Sequence, residues 1–260
     1  MIYTRAPISI LGRRGVEMTD FVCDSFLEGA LGVWQPQKGQ GYRFTLDPVL
    51  LAGFIEPAEH LLELGSGSGI LGLLVLSNAR AERVTMVEIQ DDLYRCLNKN
   101  IDENGFSACA TAINGDFRTE TLPQVDAVAF NPPFFPKDKS RPGKNRGRDI
   151  GRREHYGTLK DFVACGVKSL KAEGSLYAIV RFERGEEFEA YAQALDLVPY
   201  RCRQVISRAG EAAKHVLWQV KKTHKPIAFK EVSPLYVHHG PEGRLYSAEV
   251  QGLLRRRLTR

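Results

Sequence analysis

His60-Leu61-Leu62-Glu63-Leu64-Gly65-Ser66-Gly67-Ser68-Gly69 decides how this chain folds. Its first five residues have the apolar weight of a buried strand, and an apolar helical run, Ile70 to Leu76, follows the last glycine directly. Glycine lacks a Cβ and enters left-handed conformations freely, so Gly65, Gly67 and Gly69 allow a sharp turn and a close backbone approach to a ligand. Such a turn alone points to a nucleotide-like ligand, for which a dinucleotide-binding fold is the obvious competitor. Spacing separates the two. The glycines run G-x-G-x-G, not G-x-G-x-x-G, and Glu63 stands two places before the first of them, a carboxylate that suits a cation and not a phosphate.

Downstream, Arg83 to Glu88 reads as the next strand, ending in an acid placed to accept hydrogen bonds from two ribose hydroxyls. A helix from Asp91 to Glu103 stops at Asn104-Gly105, a C-terminal signal. Ala110 to Ile113 is a short third strand that leads into Asn114-Gly115-Asp116-Phe117. Asp116 is a candidate acceptor for an adenine amino group, with Phe117 against the ring; a plain turn aspartate is the alternative. Strand and helix alternating in this way imply parallel strands joined by right-handed crossovers.

Upstream, Trp34 to Pro48 is rich in turns and aromatics and carries Lys38 and Arg43. Asp47 reads as an N-cap with Pro48 at the first helical position, which makes Val49 to Phe54 helical. The segment is either a capped entrance to the core or a flap in which Tyr42, Phe44 and Asp47 fold over the ligand mouth. Before it, Ile8-Ser9-Ile10 suggests a strand, and Asp20 to Leu27 a short helix or a second strand.

The second informative stretch is Val125-Asp-Ala-Val-Ala-Phe-Asn-Pro-Pro-Phe-Phe-Pro136. Two consecutive prolines cannot continue a central strand, so it must end near Phe130 and leave Asn131 at its mouth. In an open α/β sheet the carboxyl ends of the strands are where ligands bind. The Asn131 amide oxygen and the Pro132 carbonyl, its direction restricted by Pro133, can together accept both hydrogens of a planar amino group, with Phe134 lying against the attached ring.

Next come Lys137, Lys139, Arg141, Lys144, Arg146, Arg148, Arg152 and Arg153 against only Asp138 and Asp149. A solvated loop is the usual meaning of such a run; leaving the Asn131 turn, it is also placed for polyanion backbone contacts. Helix Leu159 to Leu170, strand Ser175 to Val180, helix Gly185 to Leu195 and a hairpin of Arg201 to Ile206 with Val216 to Lys221 complete the sheet. The tail carries Ser233-Pro-Leu-Tyr-Val-His-His-Gly, Arg244-Leu-Tyr and a last helix with Arg255, Arg256, Arg257 and Arg260. His238 and His239 have no partners at ligand spacing.

With 260 residues, 43% of them hydrophobic, the chain can bury a proper core. No apolar run approaches the length that spans a bilayer, and the first twenty residues hold no continuous apolar block, so a cytoplasmic protein is expected. Cys23, Cys96, Cys109, Cys165 and Cys202 are odd in number and widely spread, without a Cys-x-x-Cys, and indicate neither disulfides nor a metal site. A net charge of +5 is mild for a nucleic-acid binder, so the clustering after Asn131 matters more than the total.

Asn131-Pro132-Pro133-Phe134 resembles the (N/D)PP(Y/F) tetrad of amino-group methyltransferases, and Glu63 to Gly69 resembles motif I of the class I enzymes that use S-adenosylmethionine. Together with Gly41-Tyr-Arg-Phe44, Asp47-Pro-Val-Leu-Leu-Ala52 and the Pro-Leu-Tyr-Val-His tail, the chain is similar to the bacterial tRNA(Val) adenine-N6 methyltransferase family. That resemblance implies a Rossmann-like fold, with a mostly parallel seven-stranded sheet and an antiparallel last strand. It implies a segment 1–55 acting as cap and a methyltransferase domain 56–260 with a C-terminal extension. S-adenosylmethionine would be held by Glu63, Gly65, Gly67, Gly69, Glu88, Asp116, Phe117 and Asp47. Asn131, Pro132, Pro133 and Phe134 would carry catalysis, and RNA, in the first place tRNA, would lie on the basic run and Arg43. Guanine-N2 methylation of ribosomal RNA, glutamine methylation of a release factor, and an RNA-binding factor that keeps the fold without the chemistry remain the alternatives.

Overall fold

The computed structural model describes residues 21–133, 157–240 and 245–255. Ile8-Ser9-Ile10, Phe134, Lys137 to Arg153, Arg244, Arg256, Arg257 and Arg260 lie outside the described residues.

The chain opens with an antiparallel pair, β1 (Phe21–Phe26) and β2 (Leu31–Pro36), followed by helix α1 (Asp47–Phe54). Alternation then sets in: β3 (Ala58–Leu64), α2 (Ile70–Ser77), β4 (Ala81–Glu88), α3 (Asp91–Glu103), β5 (Ala110–Asn114) and β6 (Val125–Phe130). Later come α4 (Leu159–Ser169), β7 (Leu170–Arg181), α5 (Gly185–Gln193), β8 (Val198–Ile206), β9 (Ala213–Lys221), β10 (Lys230–Tyr236) and α6 (Ala248–Leu253). The main sheet has the order β10-β8-β9-β7-β6-β3-β4-β5. Its neighbours are parallel except where β9 runs against both β7 and β8.

This is a Rossmann-like α/β fold with eight strands in the main sheet instead of the seven expected. The eighth is β10, which adds to the free edge of β8, with Lys230 opposite Arg201 and Tyr236 opposite Ile206. Two boundaries also differ. Asp47 is the first helical residue of α1 and Leu46 the cap, so Asp47 does not act as N-cap. The residues between the expected helix Leu159 to Leu170 and strand Ser175 to Val180 are part of β7, which absorbs them through a register shift opposite Val125 and Ala127 and a positive φ of 63° at Glu173.

Successive residues of a strand face opposite sides of a sheet, and here both sides are covered. Leu61 joins one core with α1, α2 and α3, through Leu51, Leu71 and Leu97. Leu62 and Leu64 join the other with α4 and α5, through Phe162, Val163 and Phe188. No helix among the described residues is long and apolar enough to cross a membrane.

The β1-β2 pair docks on α3 in an unusual way. Asn104 accepts from Gly32 N–H at 2.9 Å and donates to Gly32 C=O at 2.7 Å. One turn back, Asn100 accepts from Trp34 N–H at 2.6 Å and donates to Trp34 C=O at 3.0 Å. Each amide serves one strand residue as an antiparallel neighbour would. The spacing permits it, since four helical residues advance about 6 Å and two strand residues about 6.6 Å. The edge of β2 is thereby satisfied without another strand.

Candidate active site

Across the sheet, Leu64 of β3 pairs with Val87 of β4 on one side and Phe130 of β6 on the other. The next residue on each strand is therefore Gly65, Glu88 or Asn131, at one level on the carboxyl end of three adjacent parallel strands. A cleft opens there, lined among others by Tyr42, Gly65, Gly67, Glu88, Phe117 and Asn131.

The glycine turn needs its glycines. Gly65, Gly67 and Gly69 have φ of +68°, +58° and +84°. At Gly69 an added Cβ would lie 2.4 Å from Leu97 Cδ1. Gly67 N–H donates to Glu88 Oε2 at 2.7 Å, which ties the turn to the end of β4, and Glu88 Oε1 accepts from Gln90 N–H at 2.8 Å. Burial raises the Glu88 carboxyl above its ordinary value. The arrangement leaves a buried acid at the wall of the cleft, held by its backbone partners.

Glu63 is placed differently from the sequence expectation. It is buried behind the turn, and its Oε2 accepts from Gly72 N–H at 3.0 Å near the start of α2. Burial, with the charge of Glu88 adding to it, pushes its carboxyl up to about 8. From behind the backbone it supports the turn through Gly72. Phe117 lines the cleft and packs on Phe162 at 4.5 Å between ring centroids, but Asp116 is turned to its neighbour. Arg118 Nε sits 2.9 and 3.0 Å from the two Asp116 oxygens, and this hydrogen bonding holds the acid below the usual carboxylate range.

Of the flap residues, Tyr42 lines the cleft, whereas Phe44 packs edge-on against Phe26 at 5.5 Å. Asp47 is buried at the head of α1, where it accepts from the Thr45 hydroxyl and lies 3.8 Å from His215 Nδ1. Arg43, expected on the RNA side, ties the N-terminal pair together: one Nη donates to Pro36 C=O at 2.7 Å and the other to Asp24. Gly157 and Phe162 are among the cleft residues that escaped the sequence reading. Gly157, with φ of +155°, comes so close that a Cβ would lie 2.7 Å from Phe117 Cζ, and Phe162 sits on the inner face of α4. The only available signals were a glycine just before a Thr158 capping box and an aromatic on an apolar helix face.

Asn131 is the most telling residue of the site. Its Oδ1 is buried and has no hydrogen-bond partner among the described residues. Leaving an amide oxygen unmet in this way costs about 1–3 kcal/mol, which a folded chain rarely tolerates without a reason. Behind it Pro132 is buried, and Pro133 C=O accepts from Arg184 Nη1 at 3.4 Å, with Arg184 held by Glu187 at 2.8 and 2.9 Å. The glycine turn, the Glu88 acid and the unmet Asn131 oxygen share one cleft, a donor set that fits a nucleoside carrying a cationic group beside a planar amine.

The chain is also similar to known proteins. The methyltransferase small domain family matches residues 47–206. The tRNA1(Val) (adenine(37)-N6)-methyltransferase of Porphyromonas gingivalis is 25% identical over 225 residues, covering 82% of this chain and 87% of that protein. The protein of the same name from Tolumonas auensis is 26% identical over 204 residues, covering 77% and 76%. Among solved structures, a predicted O-methyltransferase from Agrobacterium tumefaciens superposes with a TM-score of 0.63 at 21% identity, covering 80% of this chain and 94% of that one. The M. jannaschii tRNA m1G37 methyltransferase does so with a TM-score of 0.58 at 13% identity, covering 79% and 58%, and at these identities the likeness is one of fold.

Proposed function

Since this chain belongs to the methyltransferase small domain family, we propose that it methylates the exocyclic N6 of an adenine in tRNA, with S-adenosylmethionine as donor. The names of its relatives support that substrate. The observation that carries the reading is the buried, unmet Oδ1 of Asn131 in the same cleft as the glycine turn and Glu88.

S-adenosylmethionine, when bound, supplies an electrophilic methyl group on a sulfonium. The chain's part is to hold and aim. The backbone at Gly65 and Gly67 lets a ligand approach closely, Glu88 accepts from ribose hydroxyls, and Phe117 with Phe162 offers an apolar wall to a purine. An aromatic amine is a weak nucleophile because its lone pair is delocalised into the ring. Asn131 Oδ1 and the Pro132 carbonyl, by accepting its two hydrogens, favour a pyramidal nitrogen with the lone pair directed at the methyl, an alignment effect of several kcal/mol. No strong base is required, since the alkylated nitrogen is acidic and loses its proton to water. Phe134 is assigned to stack on the target base, at about 1–3 kcal/mol on the usual scale. The basic residues from Lys137 to Arg153 are assigned to the RNA backbone.

The test is incubation with methyl-labelled donor and separate tRNA, ribosomal RNA and protein pools, followed by digestion to nucleosides or amino acids. Label in N6-methyladenosine from tRNA is expected. Label in N2-methylguanosine or N-methylglutamine instead would overturn the substrate.

A further inference from the structure

The glycine turn is gripped from two sides. On one, Glu88 takes the N–H of Gly67. On the other, Asn100 Nδ2 donates to the C=O of Ser68 at 2.8 Å, so the residue between Gly67 and Gly69 has its carbonyl fixed by α3. Asn100 is fully buried, and the same amide holds both backbone groups of Trp34 on β2. One side chain thus joins the N-terminal pair to the turn that approaches the donor. From Trp34 the chain runs on to Tyr42, which lines the cleft. The pair is further seated on α3 by Lys99, whose Nζ lies 4.4 Å from the Trp34 ring centroid. Asn104 provides an internal comparison: it makes the equivalent contacts to Gly32, and its remaining donor goes to Asn100 C=O within its own helix, not to the turn.

We propose that Asn100 is a positioning residue of the donor site, its amide fixing the Ser68 carbonyl of the glycine turn while it anchors Trp34 of β2. The inference rests on the reading of the cleft as a methyl-donor site. Were Asn100 lost, the Ser68–Gly69 peptide would keep the bond from Gly69 N–H to Ser66 C=O at 2.8 Å and lose the one that fixes its carbonyl. The turn, free to adjust at its glycines, would then be held from one side less.

The experiment measures S-adenosylmethionine binding by calorimetry on the full chain and on Asn100→Asp and Asn104→Asp. Each variant sets a carboxylate against one residue of β2, but only the first also faces the Ser68 carbonyl. Asn100→Ala is carried alongside, so that a folding defect in the charged variant does not decide the matter, and cooperative thermal unfolding is checked for all. We expect donor Kd to rise about tenfold or more in both Asn100 variants and to stay within about twofold in Asn104→Asp, in line with the sensitivity of such sites to small displacements. Under steady-state turnover, Asn100→Ala should raise KM for the donor while kcat at saturating donor stays within about twofold, a division that general loss of stability would not give. Equal weakening by the Asn104 and Asn100 variants, or unchanged binding in both Asn100 variants, overturns the inference alone. Failure of the unaltered chain to bind the donor overturns the reading of the cleft with it.

Discussion

Asn100 and Asn131 stand on opposite sides of the same site and have opposite hydrogen-bonding states. In the wall formed by α3 and the glycine turn, Asn100 is completely buried and its amide makes three bonds to backbone groups of Ser68 and Trp34. In the turn after β6, Asn131 is half-buried and its Oδ1 has no partner among the described residues. The first amide is spent on holding the protein together; the second is held ready for something else. Position along the fold explains the difference. Asn100 lies inside a helix whose neighbours are fixed, whereas Asn131 follows a strand end and precedes two prolines, which have no N–H to offer it.

Removing each amide is the sharpest way to break this contrast. Asn131→Ala should lower turnover by about 10²–10³-fold, the scale seen when one oriented hydrogen-bonding group is lost from a reacting centre. Donor binding by calorimetry should be unchanged, and thermal stability should not fall, because the substitution breaks no hydrogen bond made by that oxygen and ends the cost of leaving it unmet. Asn100→Ala should do the reverse in stability, with about 2–3 kcal/mol lost in a denaturant titration as Trp34 and Ser68 groups lose their partner. If the two variants lose stability equally, the contrast is wrong.

A smaller effect probes the turn itself. Gly69→Ala must adopt φ of +84° with its Cβ 2.4 Å from Leu97 Cδ1, and about 1–3 kcal/mol of stability should go in the same titration. Leu97→Ala is itself costly, because Leu97 is fully buried, so the steric part is read as the coupling energy of the Gly69→Ala and Leu97→Ala double-mutant cycle.

A further effect is a pH dependence and concerns Glu63. Its folded-state value of about 8 lies above the ordinary 4.5. The folded protein therefore holds this proton more tightly than the unfolded chain, and the stability it contributes is fully present below about 4.5 and lost as pH rises through about 8. Glu63→Gln should flatten the pH dependence of unfolding there; an unchanged profile would mean that Glu63 is ionised in the fold and faces a positive group.

Where sequence chemistry was local, it located structure well. Two prolines ended β6 at Phe130, and Asn104-Gly105 ended α3 at Glu103. The glycine spacing located a turn whose φ values no other residue adopts easily. What escaped depended on distant partners. β10 is an edge strand of mostly exposed residues with Pro234 inside it, so it shows no apolar alternation. Glu63 has the spacing of a ligand-facing acid, but its direction follows from the packing of α2 against β3. Arg43 has the composition of an RNA contact and the geometry of a brace, set by Asp24 nineteen residues earlier. Asn100 and Asn104 were visible as two amides one helical turn apart, yet nothing local says that a strand edge will meet them.

The most direct test is a ternary structure of the full chain with S-adenosylhomocysteine and an adenine-bearing tRNA substrate. The adenine N6 should lie within hydrogen-bond distance of both Asn131 Oδ1 and the Pro132 carbonyl, facing the sulfur above Gly65 and Gly67. An adenine seated elsewhere, or an Asn131 amide turned away from it, would contradict the account.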